Sequence, residues 1–192
     1  MSDDRSAPGG ARFEGIATIE EQPGRGMITL RGDLSSAAIR KVARQMAGLD
    51  LPGPLECRIE GERWLGWMAP DEALMILPRG EVAAALAAAE GATAGAHATL
   101  VDVSEARVSF RVSGPCAREV LAKLTPVDLS ADAFTTGSLR RTRLGQVAVA
   151  IWQDEPGVFG LICFRSVARY VFELMSDAAK EGAAVGYFPA GA

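Results

Sequence analysis

The stretch Val108-Ser-Phe-Arg-Val-Ser-Gly114-Pro115-Cys-Ala-Arg-Glu-Val-Leu121 decides how the fold is read. Val108, Phe110 and Val112 alternate with Ser109, Arg111 and Ser113, the period of a strand with one buried face. Gly114 ends the strand. Pro115 is tolerated in the first turn of a helix, where its missing amide would have no partner anyway, and Val120, Leu121 and Leu124 give that helix an apolar side. The same order stands upstream, where Met27, Ile28 and Leu30 form a short strand ending at Gly32. Asp33 or Ser35 can then cap a helix whose positions Ile39, Val42, Ala43 and Met46 follow the spacing of one buried face, and Gly48 closes it.

Outward from these two strand–helix pairs the halves continue alike. After the first pair, Leu55 to Ile59, Trp64 to Met68 and Ala73 to Leu77 read as strands, separated by the turns Glu60-Gly61-Glu62 and Ala69-Pro70-Asp71-Glu72, and a helix runs from Gly80 to Glu90. After the second come Leu139 to Leu144, Val147 to Trp152, the acidic turn Asp154-Glu155-Pro156-Gly157, Phe159 to Phe164, and a helix opened by Ser166. Both halves read strand, helix, three strands, helix, at an offset of roughly 80 residues, the signature of an internal repeat. The pattern predicts an α+β fold of two related strand-helix-strand modules over residues 26–96 and 97–185. Trp67 and Trp152 fall in matching strands, and a strand from Thr99 to Val103 links the modules. Residues 1–25, rich in Gly, Pro, Asp, Glu and Ser with no apolar period, predict a flexible arm, and 186–192 a tail. The short connections favour mostly antiparallel sheets over a doubly wound parallel sheet. Gly24-Arg-Gly26 lacks the third glycine of a dinucleotide turn, and the chain has no phosphate loop.

With 192 residues, 48% hydrophobic and 23% charged, the chain has the composition of a soluble globular protein. A net charge of −4 and a pI near 5.1 speak against nucleic acid or an anionic membrane as the main partner. Cys57, Cys116 and Cys163, without a Cys-x-x-Cys, supply neither a disulfide framework nor a zinc site of usual spacing, and fit a reducing cytoplasm. No run approaches the ~20 apolar residues of a membrane span, and Met1-Ser-Asp-Asp-Arg lacks the basic, apolar start of a signal peptide, so a cytoplasmic location is expected. A single histidine, His97, removes most triads, histidine metal sites and histidine acid–base pairs.

The remaining candidates are few. Cys116 sits where a helix dipole lowers a thiol's pKa, or where a small residue fills a tight turn. Asp71 and Glu72, like Asp154 and Glu155, offer an acid–base pair or are the ordinary content of exposed turns, and His97 offers a base or reads as a surface or capping residue. No catalytic, cofactor-binding or metal-binding residue is assigned. Arg140, Arg141 and Arg143 form the densest positive cluster, and strand alternation puts Arg141 and Arg143 on one face as a candidate anion patch, or as a solvated strand face. In the last helix Val167, Tyr170, Val171, Leu174 and Ala178 supply a core stripe, leaving Phe172, Met175 and Ala179 as a second one. The tail adds Tyr187 and Phe188. Phe172, Met175, Tyr187 and Phe188 are therefore the candidate partner interface, with packing back on the domain as the alternative.

Several strings together resemble a known family, the gamma subunit of heterotetrameric sarcosine oxidase, itself similar to the folate-binding domain of the glycine-cleavage aminomethyltransferase. They are Trp67-Met-Ala-Pro70-Asp71-Glu72, Val101-Asp102-Val103-Ser104-Glu-Ala106-Arg107, Ser113-Gly114-Pro115-Cys-Ala117-Arg118-Glu-Val-Leu121, Asp128-Leu129, Phe134, Gly137-Ser138 and Arg165-Ser166. The resemblance implies an aminomethyltransferase-like fold and a non-catalytic subunit serving assembly and stability of a flavoenzyme that oxidatively demethylates sarcosine to glycine. The one-carbon unit passes to tetrahydrofolate or leaves as formaldehyde. It implies alpha, beta and delta subunits as partners, with FAD, FMN, NAD and tetrahydrofolate on those partners and none on this chain. Aminomethyltransferase relatives carry an acidic residue after a glycine in the strand equivalent to Gly145 onward, where this chain reads Gly145-Gln146-Val147-Ala148. The alternative, a stand-alone folate-binding or aminomethyl-transfer-like protein, would call for that carboxylate.

Overall fold

The computed structural model describes residues 10–90 and 97–188. Strands β1 (Arg12–Glu14), β2 (Thr18–Glu21) and β3 (Arg25–Arg31) lead into helix α1 (Ala37–Ala47). Strands β4 (Cys57–Glu60), β5 (Arg63–Ala69) and β6 (Glu72–Pro78) follow, then helix α2 (Val82–Glu90). Beyond them lie β7 (Thr99–Asp102), β8 (Arg107–Ser113) and the short helix α3 (Ala117–Ala122). The chain ends its regular structure with β9 (Leu139–Leu144), β10 (Val147–Glu155), β11 (Val158–Phe164) and α4 (Ala168–Ala178). The turns Arg79–Glu81 and Arg165–Val167 open α2 and α4 as single 3-10 turns.

The strands form two sheets, ordered β4-β5-β6-β3-β7 and β9-β10-β11-β8-β2-β1. Every pairing among the described residues is antiparallel. The first four positions correspond strand for strand, so the repeat is present in the topology. Trp67 and Trp152 lie in the corresponding strands β5 and β10. The bulges between Trp67 and Ala69 and between Gln153 and Glu155 nevertheless align Trp67 with Gln153.

The fifth strand of each sheet comes from elsewhere in the chain. β2 precedes β3 in sequence but pairs with β8, Ile19 opposite Val112. β7 precedes β8 but pairs with β3, Thr29 opposite Val101. The chain accordingly divides into one compact unit of Gly24–Glu105 and another made of the segment ending at Pro23 together with Ala106 onward. Two expectations are corrected. Residues 12–14 and 18–21 are strands rather than part of a flexible arm: Ile19 is fully buried, and the Ile16 amide between them donates to Ala179 O at 2.8 Å. The boundary expected at 96/97 moves past β7, which belongs to the first sheet through its ladder to β3.

Each unit builds its own core from one sheet face and its helices. In Gly24–Glu105, Ile28, Leu30, Leu65, Met75 and Leu77 meet Ile39, Val42 and Met46 of α1 and Val82, Ala85 and Ala89 of α2. Helix α1 is capped by Ser36, whose hydroxyl accepts from the Ile39 amide at 3.2 Å, not by Asp33 or Ser35. Asp33 instead accepts from the Ser35 amide, one step outside the helix. Gly48, at φ 73°, closes α1 as expected, with its amide donating to Arg44 O. In the other unit, Val108, Phe110, Val112, Ile151, Phe159 and Leu161 meet Val120 and Leu121 of α3 and Ala168, Val171, Met175 and Ala179 of α4 and its C-cap.

A large ring lies across a glycine in both sheets. Any Cβ at Gly66 would overlap the Trp64 ring, and any at Gly160 the Trp152 ring, so these strand glycines are sites of close approach. Leu55 is the non-glycine residue with positive φ among the described residues, at 65° and 45% exposed. The Trp67 amide donates to Glu56 O and the Gln153 amide to Ser138 O, so Leu55 corresponds to Gly137, at φ 83°.

Two measurements check these readings. Gly160→Ala forces the Trp152 ring from its seat and is expected to lower stability by about 1–3 kcal/mol in urea unfolding; an unchanged midpoint would mean the ring moves freely. Leu55→Gly removes left-handed strain of about 1–2 kcal/mol, less ~0.5–1 kcal/mol for glycine's greater unfolded freedom. The balance is a gain of between zero and about 1.5 kcal/mol in the same assay, and a loss would contradict the strain.

Candidate partner interface

Helix α3 carries two consecutive charged residues that the unit buries. Arg118 is 4% exposed. Its Nη1 donates to the carbonyls of Leu129 and Phe134, and its Nη2 to Gln153 Oε1 at 3.3 Å. The guanidinium lies 5.2 Å from the Phe159 ring centroid, and Phe159 stacks on Phe134. Burial pulls the guanidinium below its ordinary pKa. These contacts fix the irregular run between α3 and β9, which has no ladder of its own.

Glu119, 5% exposed, turns toward the C-terminal tail. Its carboxylate accepts from the amides of Val185 at 2.6 Å and Gly186 at 2.8 Å. Lys123, one turn along, pairs with Glu119 at 3.4 Å and donates to the carbonyls of Ala183 and Ala178. The Val185 amide holds the Glu119 carboxyl below the usual carboxylate range against the opposing effect of burial, helped by the Gly186 amide and Lys123. A carboxyl lowered in the folded state contributes its stability above the ordinary glutamate pKa and loses it as pH falls through the depressed value. The tie is therefore complete at neutral pH.

Beside this tie runs a groove of about 410 Å³, lined by Ala122, Val127 and Leu129 from beneath and by Val185, Tyr187 and Phe188 from the tail. Phe188 is half-buried there. Tyr187 meets it edge to face, with ring centroids 4.9 Å apart, and is itself 80% exposed; Val185 is 74% exposed.

The expected interface residues thus separate. Tyr187 and Phe188 come together at the surface. Met175 is fully buried in its own unit's core, and Phe172 is half-buried and stacked on Phe110 at 6.3 Å. The inward stripe of α4 is Ala168, Val171, Met175 and Ala179, while Tyr170, placed inward by the sequence pattern, is exposed. Arg141 and Arg143 are exposed on β9, an edge strand, on one face opposite Ala150 and Ala148. Arg140 points the other way, 5.8 Å from the Phe134 ring centroid.

The other candidates are dispersed. Cys116 precedes α3, half-buried, and His97 is exposed. Asp71 is exposed, Glu72 is buried and pairs with Arg31 at 3.3 Å, Asp154 accepts from the Trp152 indole at 2.7 Å, and Glu155 faces Arg111 at 3.7 Å. Gly145, at φ 57°, turns β9 into β10 beneath Tyr170, and the next residue, Gln146, accepts from Arg143. Among the described residues no group of three His, Cys, Asp or Glu side chains is placed to hold a metal ion, and no helix is long and apolar enough to cross a membrane. Sequence reasoning missed Glu119 and Lys123, although their four-residue spacing on a helix was a signal.

The chain matches the family model described as "Sarcosine oxidase, gamma subunit family" over residues 31–181. The sarcosine oxidase subunit gamma of Corynebacterium sp. (strain P-1) is 33% identical over 141 residues, 71% of this chain and 68% of that one. That of an Arthrobacter species is 38% identical over 88 residues, 45% of this chain and 42% of that one. Among solved structures, a chain of heterotetrameric sarcosine oxidase from Corynebacterium sp. U-96, in complex with pyrrole 2-carboxylate, superposes with a TM-score of 0.78 at 23% identity, covering 88% of this chain and 87% of that one. Glycine cleavage system aminomethyltransferase T from Bartonella henselae superposes at 0.65 with 16% identity, covering 88% and 48%. The fold implied by the resemblance is the fold found, and with a family match across most of its length this chain belongs to the sarcosine oxidase gamma subunit family.

Proposed function

We propose that this chain is the non-catalytic gamma subunit of a heterotetrameric, flavin-dependent sarcosine oxidase that oxidatively demethylates sarcosine to glycine, and that it serves the assembly and stability of that complex. The observation that carries the reading is the family match over residues 31–181. Its partners are the alpha, beta and delta subunits, which hold FAD, FMN, NAD and tetrahydrofolate, in the cytoplasm. Tyr187 and Phe188 supply the apolar contact to a larger subunit, and Arg141 and Arg143 an anion-binding contact from β9. Such a subunit needs no acid–base residue of its own, and the position after Gly145 holds an amide, Gln146, where folate chemistry would call for a carboxylate.

Tagged chain, co-expressed with the three other subunits, is expected to retain all of them through purification, with sarcosine-dependent peroxide production in the complex. The purified single chain should be colourless and inactive. A complex of the other three prepared without it should lose activity at a lower temperature, read as residual activity after graded heating. Peroxide production or bound flavin in the single chain, or failure to retain any partner, would overturn the reading.

A further inference from the structure

Chain ends fray unless something ties them down. Here the tie is made to the backbone alone: Glu119 accepts two consecutive tail amides and Lys123 donates to Ala183 O. The side chains of the tied segment gain little from it, since Val185 and Tyr187 stay largely in water. A carboxylate buried in a helix is unfavourable without such partners, and the core formed by Val120 and Leu121 does not require an acid at the neighbouring position. What the arrangement produces is a fixed backbone with an aromatic ring standing out from it. Behind that ring, Phe188 braces Tyr187 edge to face and is itself seated beside Val127 and Leu129.

We infer that Glu119 and Lys123 form a clasp that pre-organises Val185 and Tyr187 as an anchor for a partner chain. This rests on the assembly reading above and adds to it which residues set the contact. The partner surface that fits is an apolar pocket on a larger oxidase subunit, deep enough for one aromatic ring and ending in a polar group that hydrogen-bonds the phenol. Glu119 and Lys123 are positioning residues. They act by removing the ordering penalty that a loose tail would meet on binding, and Tyr187, with two side-chain torsions, adds little of its own.

The test uses the full chain binding to the complex of the other three subunits, with tail order read by amide hydrogen exchange and by chymotrypsin cleavage after Tyr187. Tyr187→Ala is expected to weaken binding about 30-fold, the loss of a hot-spot side chain, while the Val185 and Gly186 amides stay protected. Glu119→Ala is expected to expose those amides and weaken binding to a similar degree. The double variant should then bind about as weakly as either single one, because both remove the same anchor. If Glu119→Ala does not fold, Gly186→Pro replaces it, deleting one clasped amide at a φ of 76° that proline cannot adopt. Exposed amides with unchanged affinity, or additive losses in the double variant, would overturn the inference. Failure of the unaltered chain to bind at all would instead overturn the assembly reading, and is visible before any variant is compared.

Discussion

Two pairings distant in sequence hold this fold in place, β2 against β8 and β7 against β3. Without them β3 and β8 would be edge strands, presenting unpaired amides and carbonyls along an apolar ribbon. The β2–β8 pairing closes only after the chain has passed through all of Gly24–Glu105, and the β7–β3 pairing only after the other strands of that unit, so the intervening chain must be ordered before either ladder repays it. The crossings are pinned by polar contacts. Ser104 Oγ accepts from the Met27 amide at 2.8 Å, Asp102 accepts from the Ser104 amide at 2.9 Å, and Arg79 reaches both Asp102 and Glu105. At the equivalent place in the other unit, the Arg165 amide donates to Ala106 O, just as the Arg79 amide donates to Gly24 O.

These contacts explain why the strings that carry the family resemblance have the residues they do. Val101-Asp102-Val103-Ser104 holds the end of β7 to β3. Arg118, Leu129, Phe134 and Gln153, scattered over the second half of the sequence, converge on one buried guanidinium. Glu72, in the turn that suggested acid–base chemistry, neutralises Arg31 across the β3–β6 ladder. A resemblance built on such residues speaks for the fold first, because the buried Arg118 guanidinium and the buried Met27–Ser104 pair are satisfied by them, and a buried polar group left without a partner destabilises a fold by about 1–3 kcal/mol.

The order of elements was legible because alternation and helical spacing are local. Strands β3 to β6 and β8 to β11 and the four helices announce themselves locally, through apolar alternation, continuous apolar or Ala-rich runs, or helical spacing set between turn residues. β1 and β2 do not. Arg12, Glu14, Glu20 and Glu21 leave Phe13 and Ile19 as isolated apolar residues, and a strand of three or four residues carries too few positions to show a period. The exchange of β2 and β7 was illegible for a different reason: pairing partners far apart in sequence leave no trace in local pattern. The face of α4 was misread because Tyr170 and Leu174 make as apolar a stripe as Val171 and Met175. Only the position of the helix over Phe110 and Leu161 decides between them.

That same helix shows why surplus apolar residues take two fates. On α4, Phe172 lies within reach of the sheet, and burial follows at no additional ordering of backbone, since the helix is already formed. In the tail no regular structure exists to be packed, so fixing it requires either burying its side chains or bonding its backbone. An apolar plug would have consumed Tyr187 and Val185 in the act of holding them. Bonding the backbone through the Val185 and Gly186 amides leaves the side chains of Val185 and Tyr187 outside. Glu119 does this from a helix whose Ala117, Val120 and Leu121 are buried in the core, so the position of the exposed ring is set by an element packed into the unit.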